Sequence, residues 1–134
     1  MFAPGDAFLL KADQDLGRRK FYFIASDPAQ DSDNILLLPI SSWDEGEEDL
    51  SCVLEVAECG ECEFVTHKSY VAYGHAKVRS SQSLSQSLRD GKVVQKKNVG
   101  SHILTKARQK ALSSQDIARK YRLLLSKQGL LSAP

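Results

Sequence analysis

Three apolar runs organise the first third of the chain. Ala7-Phe8-Leu9-Leu10 follows a Pro4-Gly5 turn and predicts a strand over residues 6–11. Residues 12–19 are polar and predict a loop. The aromatic and β-branched run Phe21-Tyr22-Phe23-Ile24-Ala25 predicts a second strand. Asp27-Pro28 through Asn34 is rich in turn formers. Ile35 to Ile40 is apolar at successive positions, which predicts a third strand covered on both faces. Pro39 limits where that strand pairs, and Ser41 and Ser42 are expected to leave it.

The pattern then breaks into smaller pieces. Trp43 to Ser51 contains five acids and predicts a solvated connection. Short strands are expected at Cys52-Val53-Leu54 and, near Gly74, at Tyr70 to Tyr73 and Ala76 to Val78, while Glu63 to Val65 reads as a further short strand or leads into a turn at His67. Ser80 to Ser87 reads as a loop or a frayed helical turn, and Gly91 to Lys97 as a basic hairpin arm or edge strand. Ser101 is placed to cap a helix through Ala111, with Ile103, Leu104, Ala107 and Ala111 on one side. Ser113 or Ser114 is placed to cap a second helix from Gln115 to about Lys127, with Ile117, Tyr121, Leu124 and Leu125 as its apolar face and Gly129 as its stop. The expected fold is mainly β with C-terminal helices. Residues 1–112 form a compact antiparallel barrel with a helical segment near 101–111, and residues 113–134 form a helical extension.

Charge adds what the apolar pattern does not. The 134 residues carry a net charge of only +1, yet residues 1–66 hold fifteen acidic and four basic side chains while residues 67–134 hold two and fourteen. A basic half suits a polyanion such as nucleic acid; the same asymmetry also fits internal compensation or an acidic protein partner. No apolar run nears the roughly 20 residues of a membrane span, and the start, with Asp6 and no basic flank, shows no secretory signal, so a cytoplasmic location without membrane contact is expected. No P-loop, zinc-finger or dinucleotide fingerprint is present, and no cofactor is expected. Cys59-Gly60-Glu61-Cys62, with Cys52 and His67, has ligand types and a spacing compatible with zinc or a dithiol, but it lacks the second half of a structural zinc site and runs toward a strand rather than a helix. Ordinary thiols are the preferred reading.

Several segments resemble the MazF/PemK toxins of type II toxin–antitoxin modules. Pro4-Gly5-Asp6-Ala7-Phe8-Leu9-Leu10 is similar to their opening Gly-Asp strand, Lys20-Phe21-Tyr22-Phe23-Ile24-Ala25-Ser26 to the next, and Leu37-Leu38-Pro39-Ile40-Ser41-Ser42 to the strand ending Pro-[Leu/Ile]-Thr-Ser. Phe64-Val65-Thr66-His67-Lys68-Ser69-Tyr70-Val71 resembles a later Ser-x-[Val/Ile] segment. The resemblance implies a dimeric SH3-like barrel that cleaves single-stranded RNA without metal and is held by an antitoxin, here one with an acidic tail. Position by position, Lys20, with Arg19 as neighbouring substitute, matches the family's basic residue, and Ser41 matches its Thr. The family's Arg-Pro pair is absent, and the C-terminal helix is extra.

RNA cleavage through the 2′-hydroxyl needs a base, an acid and cations for the phosphorane. His67-Lys68-Ser69-Tyr70, with Tyr73 and His75, supplies these types within nine residues. His67 is the candidate acid or base, because an imidazole ordinarily titrates near neutrality. Arg19, Lys20 and Ser41 complete the candidate catalytic set. Arg18, Ser42, Lys68, Ser69, Tyr70, Tyr73, Lys96 and Lys97 are candidate RNA contacts, the lysines through phosphate and at most one of the two tyrosines by stacking. Ser41 and Ser42 have no acid–base partner nearby in sequence, which argues against a serine hydrolase. The expected activity is a metal-independent endoribonuclease. Its rivals are a non-catalytic nucleic-acid-binding protein and a protein-interaction module on the same barrel.

Overall fold

The computed structural model describes residues 2–11, 19–42, 50–58, 65 and 67–131. Seven strands form one antiparallel sheet: β1 (Ala7–Lys11), β2 (Arg19–Ile24), β3 (Ile35–Ser42), β4 (Val53–Leu54), β5 (Ser69–Val71), β6 (Lys77–Arg79) and β7 (Val93–Lys96). Three helices accompany it: α1 (Ser81–Arg89), α2 (Ser101–Ala111) and α3 (Arg119–Lys127). The strand order is β4-β5-β3-β2-β1-β7, with β6 also paired to β3.

β3 organises the sheet. Along one side it pairs with β2, Phe21 facing Ile40 and Ile24 facing Leu37. Its other side is shared: Ile35 to Leu37 pair with β6, and Ile40 to Ser42 pair with β5. A 3-10 turn, Tyr73–His75, carries the chain from one partner strand to the other.

The unbroken apolar run of β3 is explained by cover on both faces. Leu36, Leu38 and Ile40 join Phe23, Leu54 and Val71 in the larger core, where α2 contributes Ile103, Ala107 and Ala111 and α3 contributes Leu125, with Ile117 just ahead of it. Ile35 and Leu37 enter a smaller core with Phe8, Tyr22, Ile24 and Val93, closed by Leu84 of α1. The C-terminal helices therefore share the principal core of the sheet.

Four expectations are corrected. Ser80–Ser87, expected as a loop or a frayed helical turn, belongs to a full helix: Ser80 Oγ accepts the Ser83 N–H and starts α1, which Leu84 and Leu88 anchor. Ser41 and Ser42 do not leave the third strand but pair with Tyr70 and Ser69. Gly100 rather than Ser101 occupies the N-cap of α2. The last helix starts at Arg119 rather than Gln115, because Ser114 Oγ accepts the N–H groups of Asp116 and Ile117 in a turn before it. The expected strand at Glu63 to Val65 and the acidic connection at Trp43 to Asp49 lie outside the described residues, apart from Val65, which is buried outside any strand. Among the described residues, no helix is long and apolar enough to cross a membrane.

Candidate active site

The end of β3 brings one predicted residue pair into contact. Pairing of β3 with β5 sets Ser42 opposite Ser69, and the chain just before β5 places His67 Nε2 2.7 Å from Ser42 Oγ. Ser69 is 2% exposed, and its hydroxyl donates to the His67 carbonyl at 2.9 Å. One serine thus holds the imidazole side chain and another fixes its backbone. Both Ser42 and His67 are exposed. A hydroxyl within hydrogen-bond reach of an imidazole is the contact that acid–base chemistry requires.

Sheet pleating divides the remaining candidates. Successive residues of a strand point to opposite faces, so Ser41, opposite Tyr70, stands on the other face from Ser42. Tyr70 in turn faces Val53 of β4. The β2–β3 pairing runs from Ile24 with Leu37 to Phe21 with Ile40, and Arg19 and Lys20 precede it in β2. Ser42, not Ser41, is the serine in contact with His67. Lys20 is half-buried and pairs with Leu10 of β1 on its other side. Lys68, beside His67, lies 3.9 Å from Glu55, both about half exposed. Such a surface pair contributes little to stability.

Two proposed RNA contacts are overturned by burial. Tyr73 is 1% exposed, its ring lies in the larger core, and its hydroxyl donates to the Ala107 carbonyl of α2 at 2.5 Å. No base stacks on it. Ser69 is likewise enclosed and serves the His67 backbone. Arg18 lies outside the described residues.

The basic second half is divided between structure and surface. Lys106 Nζ donates to Glu58 Oε1 at 2.7 Å and to the Val53 carbonyl at 2.6 Å, and His102 Nε2 lies 3.4 Å from the same carboxylate. The Glu55 backbone N–H and the Lys106 ammonium hold the Glu58 carboxyl down to about 2. Arg108 Nε donates to the Ala25 carbonyl, and burial lowers the pKa of its guanidinium. Arg79 reaches Ser83 and Ser87 of α1. Lys96, half-buried, ends β7, which stands at the edge of the sheet beside β1, and Lys97, exposed, follows it.

Cys52 is a free, buried thiol whose pKa burial pushes up to about 11, which suits a core residue rather than a nucleophile. Cys59 and Cys62 lie outside the described residues. Among the described residues, no three His, Cys, Asp or Glu side chains converge as metal ligands.

Comparison with known protein families, with curated proteins and with solved structures gives no significant match.

The sequence reading missed the partnership of Ser42 with His67. They lie 25 positions apart, and only the β3–β5 register joins them. It also missed the Lys106–Glu58 contact, although an acidic segment and a basic helix in one chain were its available signal.

Proposed function

We propose that the protein is a metal-independent endoribonuclease acting on single-stranded RNA, built on an SH3-like barrel similar to the MazF/PemK toxins. The observation that carries this reading is the 2.7 Å contact of His67 Nε2 with Ser42 Oγ at an exposed strand end. In this reading His67 takes the 2′-hydroxyl proton or protonates the 5′-oxygen, and Ser42 orients the ring. Arg19 or Lys20, the basic residues that the resemblance points to, and Lys68, beside His67, supply positive charge to the phosphorane. The mainly antiparallel sheet with C-terminal helices is compatible with that reading. Cytoplasmic location, a homodimer and an acidic antitoxin belong to the same proposal.

A second reading has its own support. Arg119, Lys120, Arg122 and Lys127 of α3 make no ion pair among the described residues, and none belongs to the His67 site. A cationic helix away from the dyad favours nucleic-acid binding without cleavage.

The test is incubation of the purified chain with a long, weakly structured RNA in EDTA, beside His67→Ala and Lys20→Ala variants. Discrete cleavage that a folded His67→Ala protein has lost supports the nuclease. Intact RNA that shifts at low salt supports the binder.

A further inference from the structure

At the other end of β3 from Ser42 lies a cleft of about 370 Å³, lined by Asn34, Val78, Lys120, Tyr121 and Leu124. Asn34 immediately precedes β3, Val78 of β6 pairs with Leu36, and the other three come from the first two turns of α3. The volume is near the lower bound of small-molecule sites, enough for one ring system and one charged group.

Its lining has a definite chemistry. Val78 and Leu124 are aliphatic walls, and the half-buried Tyr121 adds an aromatic ring. The Lys120 ammonium stands 5.2 Å from the Tyr121 ring centroid, a cation held at the cleft by the ring it faces. Asn34 is fixed from behind: its Nδ2 donates to Asp31 Oδ2 at 3.1 Å and its backbone N–H to Asp31 Oδ1 at the same distance. These bonds hold Asp31 below its usual pKa and leave Asn34 Oδ1 as an oriented acceptor. On α3, Leu124 and Lys127 follow Lys120 at helical spacing, so positive charge continues one turn beyond the cleft.

We propose that this cleft binds one nucleotide of a nucleic-acid strand. The base packs against Tyr121, Val78 and Leu124, an exocyclic amino or ring N–H donates to Asn34 Oδ1, and the phosphate meets Lys120. Apolar walls alone would take any small hydrophobe; the cation and the fixed amide at their rim select a planar, anionic, donor-bearing ligand. The proposal rests on the RNA reading for the identity of its occupant, and it is separate from the His67 chemistry.

The experiment is a titration of the full chain followed by NMR, with adenosine 5′-monophosphate as the probe and adenosine and ribose 5-phosphate as its two halves. Saturable shifts at Asn34 and at residues 120–124 are expected with the nucleotide, weaker ones with adenosine, and none with ribose 5-phosphate. Lys120→Ala and Asn34→Ala, both at exposed positions, should each weaken binding about tenfold, one conventional hydrogen bond or ion pair. The proposal is overturned by no saturable shift, by equal shifts with ribose 5-phosphate, or by unchanged binding in both variants. Cleaved RNA without nucleotide binding sinks the cleft and spares the nuclease; nucleotide binding with uncut RNA does the reverse.

Discussion

Lys106 Nζ lies 2.7 Å from Glu58 Oε1, an ion pair that fastens α2 to the 3-10 turn Val56–Glu58 that follows β4. Glu58 also accepts the Glu55 backbone N–H at 2.8 Å. Its folded pKa, about 2, is below its ordinary 4.5. Its contribution is therefore complete above about pH 4.5 and is lost as pH falls through about 2. Glu58→Gln should cost about 1–2 kcal/mol at pH 7, once screening of a quarter-exposed group is allowed for. Urea unfolding at pH 7, 4 and 3 should show the gap to wild type narrowing; a pH-independent gap would contradict the assignment.

Tyr73→Phe removes the hydroxyl that donates to Ala107 and keeps the ring in the core. A loss of about 1 kcal/mol is expected in urea unfolding, the usual net worth of a buried hydrogen bond. RNA affinity of the folded variant should not change, because the ring is enclosed.

Gly5 has φ +85°, and a Cβ there would lie 2.5 Å from Asn98 Oδ1. Asn98 is not free to yield, since Oδ1 accepts the Gly100 N–H and Nδ2 donates to the Pro4 carbonyl. Gly5→Ala should destabilise by about 1–3 kcal/mol, read as a lower thermal midpoint. An unchanged midpoint would mean that the turn relaxes without cost.

The division of the serines by the pleat yields a comparison for the nuclease reading. His67→Ala should lower RNA cleavage by about 100-fold or more, the usual scale for a general acid or base. Ser42→Ala should lower it about tenfold, through loss of one orienting hydrogen bond. Ser41→Ala should change it less than Ser42→Ala. Equal losses in the two serine variants would place the RNA across both faces and reject the dyad as the centre.

What the sequence made legible follows from which forces act locally. β1, β2 and the apolar part of β3 announce themselves because a strand buried on a face must be apolar there, and Gly129, with φ +72°, ends α3 as its residue type suggests. α1 was hidden because its sequence, SQSLSQSLR, has only Leu84 and Leu88 to signal a face; a serine cap and two leucines in the smaller core suffice. Ser41 and Ser42 are polar and still strand, since backbone pairing to β5 holds them there. The same register creates the His67–Ser42 contact, so a site depending on two pairings distant in sequence left no local trace. The Tyr70–Tyr73 spacing suggested opposite faces of one strand, but the strand ends at Val71 and Tyr73 turns inward on a 3-10 turn.

The pairing of β1 with β7 aligns Ala7 with Lys96, almost ninety positions later, and Val99 N–H returns to the Gly5 carbonyl. During synthesis on the ribosome, the outer edge of β1 therefore waits without its native partner until β7 has emerged. Closing so long a loop late makes folding slow relative to helical proteins of this size. Until then an apolar strand with an open edge is available for the wrong pairing. Completion of the sheet therefore waits for β7, the strand that covers the edge of β1.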